Sequence, residues 1–383
     1  MARRDDVDLV LHLGDYLYEY EDGTFGDGAA LGRVPAPNRE LLSLADYRAR
    51  HAQYKLDPDL QRLHAKYPII ATWDDHESAD DASKAGAVNQ NEGEGSWAAR
   101  RAASWKAYDE WMPVRLSGST ALGDGTQIYR RLQYGDLVEL SMLDLRTYRD
   151  QQLAVQADPA TADPDRTITG RPQLDWLKDS LTRQATQWKL VGNPVMIAPV
   201  TFAGIPRDLI KPVNDTAGLL PPEGVPYNVD QWDGYTDDRR EVFEHLRDNG
   251  VTDALFITGD IHSGWACDLP ADKATYAGTR NSVGVEFVAT SVTSNNLKDI
   301  TGTPRRTTSI AVETTLKANN PHIKYLNFDD HGFSVLDITA KRAQMDWFVI
   351  GDRADKATGL TWTQSWATTA GSQTIHSVDG PVS

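Results

Sequence analysis

Three short segments place carboxylates and imidazoles directly behind apolar residues. Gly14-Asp15 follows VLHL, the acidic segment 74–77 (Asp-Asp-His-Glu) follows IIATW, and Asp260 and His262 follow LFIT. Hard carboxylate oxygens together with a neutral imidazole suit a mixed site for iron, zinc, manganese or calcium. Asp260 and His262 are two residues apart, so on an extended segment their side chains lie on the same side. The three segments are therefore candidates for one metal centre.

Each segment also has a purely structural interpretation. The first can be a strand-ending turn in which Tyr16, Tyr18 and Tyr20 pack as aromatics. The acidic segment can be the solvated N-terminus of a helix, where negative charge is favourable. The histidine of the third segment can be a hydrogen-bonded structural residue. The residues alone leave these alternatives open.

The elements that carry these segments are predicted to be buried strands. Five apolar runs end abruptly in polar residues, and continuous apolar strands are typical of sheets covered on both faces. In such sheets, ligands bind beyond the carboxyl ends of the strands, where several loops meet. The runs are 9–13, 69–73, 137–143, 190–191 and 255–258. The pattern predicts one rim that gathers Asp, His, Asn and Arg side chains.

The rest of the chain alternates between helical and strand-like patterns. Helical spacing recurs in three segments, which are 44–66, 96–112 and 174–188. Segments 333–338 and 345–349 alternate in polarity, as antiparallel strands do. Segments 202–235 and 263–305 are rich in Gly, Pro, Asn and Thr and are predicted to be loops. From about residue 354 we expect a loosely held tail.

The composition is that of a globular protein with an acidic excess. The 383 residues include 39 Lys and Arg against 55 Asp and Glu, so the formal net charge is −16. This charge disfavours binding to nucleic acid and to anionic lipid. An enzyme that handles phosphate at this charge needs cations to reverse the sign locally. No apolar run reaches the roughly 18 residues of a transmembrane helix. Cys267 is the single cysteine, which excludes an intrachain disulfide and a Cys-based zinc site.

Longer motifs resemble a known family. Among them are HLGDYLYEY, IIATWDDHE, MLDLRTYRDQ, TGDIHSGWACDL and NPHIKYLNFDDHGF. They are similar to motifs of the PhoD-like alkaline phosphatases, in the calcineurin-like metallophosphoesterase superfamily. The resemblance implies an α/β fold, a four-layer α/β/β/α sandwich of two mixed sheets flanked by helices. It also implies a catalytic domain over 1–353 and a C-terminal tail over 354–383.

The resemblance further implies which residues bind metal. Asp15 matches the aspartate that bridges two ions, and Tyr18 resembles the tyrosinate ligand of ferric iron in purple acid phosphatases. Asp75 stands where the superfamily usually has Asn, and Asp260 where many relatives have His. Both exchanges favour calcium at the second site. His262 is implied as a ligand of the iron. The implied cofactors are therefore Fe3+ and Ca2+ rather than zinc.

The implied reaction is hydrolysis of phosphate monoesters, diesters or both, through in-line attack by a hydroxide that the metal ions activate. His76 is a candidate donor to the leaving oxygen, and Arg146 is a candidate clamp for a non-bridging oxygen. Asn89 is a weaker candidate contact to phosphate. A structural role is the alternative for His76, and an ion pair with Asp144 or Asp150 is the alternative for Arg146.

One departure from the family concerns the beginning of the chain. Family members have a preceding strand with a cysteine ligand of iron, so we expect the sequence to start within a longer protein. Cys267 is not presumed to replace that ligand and is expected to be inert. The second hypothesis is therefore a catalytically impaired, metal-poor scaffold or binding protein. The family is commonly exported, so the implied location is secreted, periplasmic or at the cell surface. The expected partners are small or polymeric phosphate esters, and the expected state is a monomer.

Overall fold

The computed structural model describes residues 1–114, 127–202 and 224–382. The chain divides into two compact units. The first unit comprises 1–130 and 142–151, and the second comprises 131–141 and 152–383. In the described part of the chain, no helix combines the length and the apolar character that crossing a membrane requires.

Among its described residues, the first unit contains a short parallel strand pair and four helices. Strand β1 (Val10–His12) pairs with β2 (Ile69–Ala71), with Leu11 opposite Ile70. The helices are α1 (Gly28–Leu31), α2 (Leu44–Tyr54), α3 (Pro58–Lys66) and α4 (Trp97–Trp111). The helical patterns over 44–66 and 96–112 are therefore confirmed.

Local capping explains where two of these helices begin. Ser43 and Asp46 form a reciprocal capping box at the start of α2. The Asp57 side chain accepts N–H groups at the start of α3, whose first residue, Pro58, needs no hydrogen-bond partner for its nitrogen. The helices then pack around buried hydrophobic side chains, which include Tyr16, Trp73, Tyr108, Leu17 and Tyr47. Because Tyr16, Leu17 and Trp73 follow β1 and β2, this core anchors the chain behind both strands.

Most residues of a seven-stranded mixed sheet lie in the second unit. Its strands, in spatial order, are β11 (Ile323–Asn327), β9 (Gly264–Pro270), β10 (Ser282–Val288), β8 (Ala254–Thr258), β5 (Trp188–Asn193), β4 (Val138–Met142) and β3 (Arg130–Tyr134). Strands β5, β8 and β10 run parallel, whereas β9 is antiparallel to both of its neighbours. The predicted buried strands over 137–143, 190–191 and 255–258 are all present.

A four-stranded antiparallel sheet packs on the large sheet within the second unit. It is formed by β12 (Gly332–Ile338), β13 (Arg342–Ile350), β14 (Leu360–Thr369) and β15 (Ile375–Val378). Trp347 on β13 donates its indole N–H to the carbonyl of Val288 on β10, over 3.0 Å. The α/β class with a large mixed sheet is confirmed, although the second sheet is antiparallel rather than mixed. The expectation of a loose tail after 354 is wrong, because β14 and β15 pair with the sheet.

The other elements of the second unit correct several predictions. The described residues of this unit also form β6 (Thr201–Phe202), β7 (Val225–Pro226), α5 (Arg171–Thr182), α6 (Thr236–Asp248), α7 (Lys273–Thr279), α8 (Leu297–Thr301) and α9 (Thr308–Asn319). The helix predicted over 174–188 ends at Thr182, and strand β5 begins at Trp188. The segment 263–305 is not a loop, since two fully buried strands form there. Of the loop predicted over 202–235, residues 203–223 lie outside the described residues.

Candidate functional site

Two tight turns follow β1 and β2 and lie against each other. Gly14 has φ +121°, and a Cβ on it would lie 2.3 Å from the Cβ of Asp74, so only glycine fits there. Asp15 has φ 56°, in the left-handed region that side chains rarely adopt. The buried carboxylate of Glu77 accepts backbone N–H groups from Asp15 and Tyr16 in one turn and from Asp74 in the other. The two turns are therefore held at contact distance.

Three carboxylates gather where these turns meet. Asp15, Asp74 and Asp75 offer oxygens that all lie within 4.8 Å of one another, and His76 joins Asp15 and Asp75 in a second such group. Burial raises the pKa of Asp15 well above its usual range, and the carboxylates of Asp75 and Asp74 add to that rise. Burial also raises the pKa of Glu77 to about 7. Negative charge on Asp15 is therefore costly without a cation.

The donor atoms fit a metal ion. Among the described residues, Oδ1 of Asp15 and Oδ1 of Asp75 are buried and accept no hydrogen bond. A buried acceptor without a partner costs about 1–3 kcal/mol, and more when charged. A cation bound to both oxygens would remove this cost, and carboxylates are ligands that Ca2+ and Fe3+ accept. The Tyr18 hydroxyl lies on the same cluster and donates to Oδ2 of Asp15 over 3.2 Å.

His76 lies beside the carboxylates and is held from behind. Its Nδ1 is 2.8 Å from Oε2 of the fully buried Glu19. Its ring centroid is 4.3 Å from that of Tyr18. Burial alone would lower the pKa of His76, but the carboxylates of Asp75, Glu19 and Asp15 outweigh it and raise the pKa well above its ordinary value. Sequence reasoning missed Glu19, although it lies within the motif HLGDYLYEY.

Asn89 reaches this network through Glu19. Its Nδ2 donates to Oε1 of Glu19 over 2.8 Å, and the backbone N–H of Asp80 donates to the same oxygen over 2.7 Å. The side-chain oxygen of Asn89 is buried and has no hydrogen-bond partner among the described residues. Asn89 thus holds Glu19 in place, and its side-chain NH2 group donates to this carboxylate.

Arg146 forms a buried two-point ion pair with Asp74. Its Nε lies 2.6 Å from Oδ1, and its Nη2 lies 2.9 Å from Oδ2. Asp75 is a further neighbour, with its Oδ1 3.5 Å from Nη2. Burial opposes ionisation of Asp75, but Arg146 and His76 outweigh it and lower its pKa.

The two ion-pair partners expected for Arg146 also have other contacts. Asp150 pairs with Lys84. Asp144 accepts backbone N–H groups of Arg146 and Thr147 through Oδ1. The guanidinium of Arg146 pairs with Asp74, and the expected ion pairs with Asp144 or Asp150 stay predictions.

Asp260 and His262 follow β8 in the second unit. Their φ angles are 63° and 49°, so the segment bends and the extended geometry expected from the sequence is wrong. Gln231 donates to Oδ2 of Asp260 over 2.5 Å, and Nδ1 of His262 lies 2.7 Å from the carbonyl oxygen of Asn295. These contacts orient both side chains. Their convergence with the residues of the first unit stays a prediction.

Cys267 lies on β9 and is completely buried. Burial raises the pKa of its thiol well above the ordinary value, with Glu286 and Asp268 adding to the rise. A thiolate is the nucleophilic and metal-binding form of cysteine. Because the raised pKa disfavours the thiolate, this environment agrees with the expectation that Cys267 is inert.

Comparisons with known proteins agree with these motifs. A family model described as PhoD-like phosphatase matches residues 1–347. Alkaline phosphatase D of Bacillus subtilis (strain 168) is 32% identical over 354 residues, which are 91% of this chain and 55% of that protein. The chain thus spans about half the length of this curated relative. A solved structure described as "Structure of PhoD" has a TM-score of 0.82 and 29% identity, covering 100% of this chain and 68% of that one.

Proposed function

Because the chain belongs to the PhoD-like phosphatase family, we propose that it is a metal-dependent phosphoric ester hydrolase acting on phosphate monoesters, diesters or both. The observation that carries this proposal is the acidic cluster of the first unit, in which Asp15 and Asp75 each bury an oxygen without a hydrogen bond. Such a cluster is suited to cations, and cations are what a protein of net charge −16 needs to attract phosphate.

We propose the metal ligands that the family motifs imply. Asp15, Tyr18, Asp75, Asp260 and His262 would hold the ions. Phenolate and carboxylate oxygens support Fe3+ and Ca2+ as the ions. When bound, these cations supply positive charge for the phosphate oxygens and lower the pKa of a water molecule.

The protein's own residues would protonate the leaving group and orient the proton donor. His76 is the proposed donor to the leaving oxygen, and its hydrogen bond to Glu19 fixes the orientation of the imidazole. The direct phosphate clamp by Arg146 stays a prediction from the sequence. The observed geometry favours a different role, in which Arg146 holds Asp74 and Asp75. A direct contact of Asn89 with phosphate is likewise only predicted.

Several attributes of the whole protein are proposals by similarity. We propose that residues 1–353 form the catalytic domain, followed by 354–383 as a C-terminal segment. The substrates would be small or polymeric phosphate esters. The site of action would be outside the cytoplasm, as a secreted, periplasmic or cell-surface protein, and the state a monomer.

The test combines metal analysis with ester hydrolysis. The purified protein is loaded with Fe3+ and Ca2+, its metal content per chain is measured, and an aryl phosphate and a bis-aryl phosphate diester are assayed at alkaline pH. We expect hydrolysis that calcium chelation abolishes and that Asp75→Asn reduces. A metal-replete protein without turnover would contradict the proposal. Low metal content together with no turnover would support the scaffold hypothesis.

The identity of the iron ligand has its own test. If Tyr18 binds Fe3+, the iron-loaded protein has a visible charge-transfer band that disappears in Tyr18→Phe. Tyr16→Phe is the matched control, since that tyrosine bonds to His64 and Lys55 instead. Full activity of a zinc-only preparation would contradict the assignment of iron and calcium.

A further inference from the structure

Glu77 connects the two turns of the acidic cluster. Its Oε2 accepts the backbone N–H of Asp15 over 3.1 Å and that of Asp74 over 2.8 Å, and its Oε1 accepts the N–H of Tyr16. The side chain belongs to a residue that is only 1% exposed. The carboxylate of Glu77 thus binds three backbone N–H groups. Those of Asp15 and Tyr16 lie 62 and 61 residues away in sequence, and that of Asp74 lies 3 residues away.

The turns need such a connection because their backbone is strained and crowded. Asp15 adopts φ 56°, and Gly14 approaches Asp74 so closely that no Cβ fits between them. Left-handed backbone at a non-glycine residue persists only where the surrounding structure enforces it. The three N–H bonds to Glu77 are contacts that enforce it here.

A carboxylate suits this position better than an amide. An ionised carboxylate is an acceptor at both oxygens, whereas a glutamine has one acceptor oxygen and one donor NH2 group. A glutamine at position 77 would therefore turn an N–H donor toward another donor. At least one of the three backbone N–H groups would lose its partner inside the protein.

We propose that Glu77 is a positioning residue, which holds Asp15 and Asp75 at the spacing that a shared cation requires. Its oxygens face backbone N–H groups, and among the described residues Glu77 belongs to none of the clusters whose oxygens could share a cation, so its role is to act through the two turns. The inference deepens the proposed function, since it relies on Asp15 and Asp75 as metal ligands.

The experiment compares Glu77→Gln and Glu77→Asp with the wild-type protein at alkaline pH. In metal-free protein, hydrogen exchange at one or more of the N–H groups of Asp15, Tyr16 and Asp74 should become about tenfold faster in both variants, as expected for a lost buried hydrogen bond. The dissociation constant for Ca2+, measured by calorimetry, should rise by about tenfold or more in both. Glu77→Asp keeps the charge but loses the reach, so an effect in this variant separates positioning from a long-range charge effect.

Glu313→Gln is the matched control. Glu313 is also buried and accepts a backbone N–H, that of Phe328, over 3.0 Å, but it belongs to the second unit. This variant should leave both the three exchange rates and the Ca2+ affinity unchanged. A merely structural role of Glu77 would lower the melting temperature while the folded protein kept its Ca2+ affinity.

Two results would overturn the inference. One is wild-type exchange at Asp15, Tyr16 and Asp74 in Glu77→Gln, and the other is wild-type Ca2+ affinity in that variant. If the wild-type protein itself binds no Ca2+, the proposed calcium site and the positioning of its ligands are both wrong. If Ca2+ binds with the expected Glu77 dependence but no ester is hydrolysed, the positioning role stands and the proposed reaction fails.

Discussion

The carboxylate of Glu19 and the imidazole of His76 form a hydrogen bond with 2.8 Å between Oε2 and Nδ1. Glu19 is fully buried, and its other oxygen accepts donors from Asn89 and from the backbone of Asp80. Two neighbours thus fix the carboxylate, and the carboxylate fixes the ring. With Nδ1 engaged, the other ring nitrogen, Nε2, lies 4.0 Å from Oδ1 of Asp80. The orientation of the proposed proton donor is therefore set before any substrate binds.

Replacing Glu19 tests this arrangement. We expect Glu19→Gln to lower kcat by about 10- to 100-fold, below the full contribution of about 10²–10⁴ typical of a general acid. Metal content should stay at the wild-type level, because Glu19 is not a proposed ligand. In the double variant with His76→Ala, the two losses should not add, since Glu19 acts through the ring. Additive losses in the double variant would contradict this role. The control is Glu110→Gln, which removes a carboxylate from the exposed ion pair with Arg48 and should leave kcat unchanged.

The ion pair between Arg146 and Asp74 predicts a loss of stability. Arg146→Lys keeps the charge but cannot form both bonds, so two buried carboxylates lose most of their compensation. We expect the free energy of unfolding, measured in urea, to fall by about 3 kcal/mol. Arg48→Lys removes the same group from a surface pair and should cost less than about 1 kcal/mol. Equal losses in both variants would show that burial of the pair is unimportant.

A methyl group at position 14 should separate the two turns. Gly14→Ala places its Cβ against Asp74 at 2.3 Å and forces alanine to φ +121°. Gly23→Ala is the control, because Gly23 also has positive φ, +90°, but nothing within 4 Å of the added atom. Strain at φ costs about 1–3 kcal/mol in either variant, and the clash adds a similar amount only at position 14. If urea unfolding gives the same loss of stability for Gly14→Ala and Gly23→Ala, the close contact between Gly14 and Asp74 is contradicted.

His322 predicts a specific dependence of stability on pH. It is completely buried, its Nε2 bonds to the carbonyl of Pro199 over 2.8 Å, and burial lowers its pKa to about 3. The unfolded chain takes up the proton near its ordinary pKa of about 6.5, and the folded chain does not. Stability from the neutral ring is therefore complete above about pH 6.5 and is lost as the pH falls toward 3, by about 1.4 kcal/mol per unit.

The corresponding measurement is urea unfolding of wild type and His322→Gln over this pH range. We expect the variant to be less stable at pH 7 but to lose about 1.4 kcal/mol less per pH unit on acidification. His376→Gln, at an exposed position, should leave the slope unchanged. Parallel wild-type and His322→Gln curves would show that His322 is not the group responsible.

Local sequence determined much of the secondary structure but not the strands that depend on distant partners. The capping residues Ser43 and Asp57 and the apolar run of β8 act on their own neighbourhoods, and these elements appear where predicted. Strand β9 was missed because the segment 263–305 around it is rich in Gly, Pro, Asn and Thr, and strand β14 was missed because its own residues are rich in Thr. Their strand conformation comes from pairing with β10 and β13, which satisfies the backbone N–H and C=O groups.

The sequence alone also indicated which residues are candidates for the chemistry. Asp15, Asp75 and His76 were candidates because carboxylates and an imidazole directly behind apolar runs suit a metal centre, although structural roles stayed open and only the family resemblance implied their functions. Only the tertiary structure decided their partners: Glu77 is 62 residues from Asp15, and Asp74 is 72 residues from Arg146. The energy of a buried charge depends on the groups within a few ångströms of it. The spacing of these residues along the chain does not give the distances between them in space, because only the fold brings segments this far apart in sequence together.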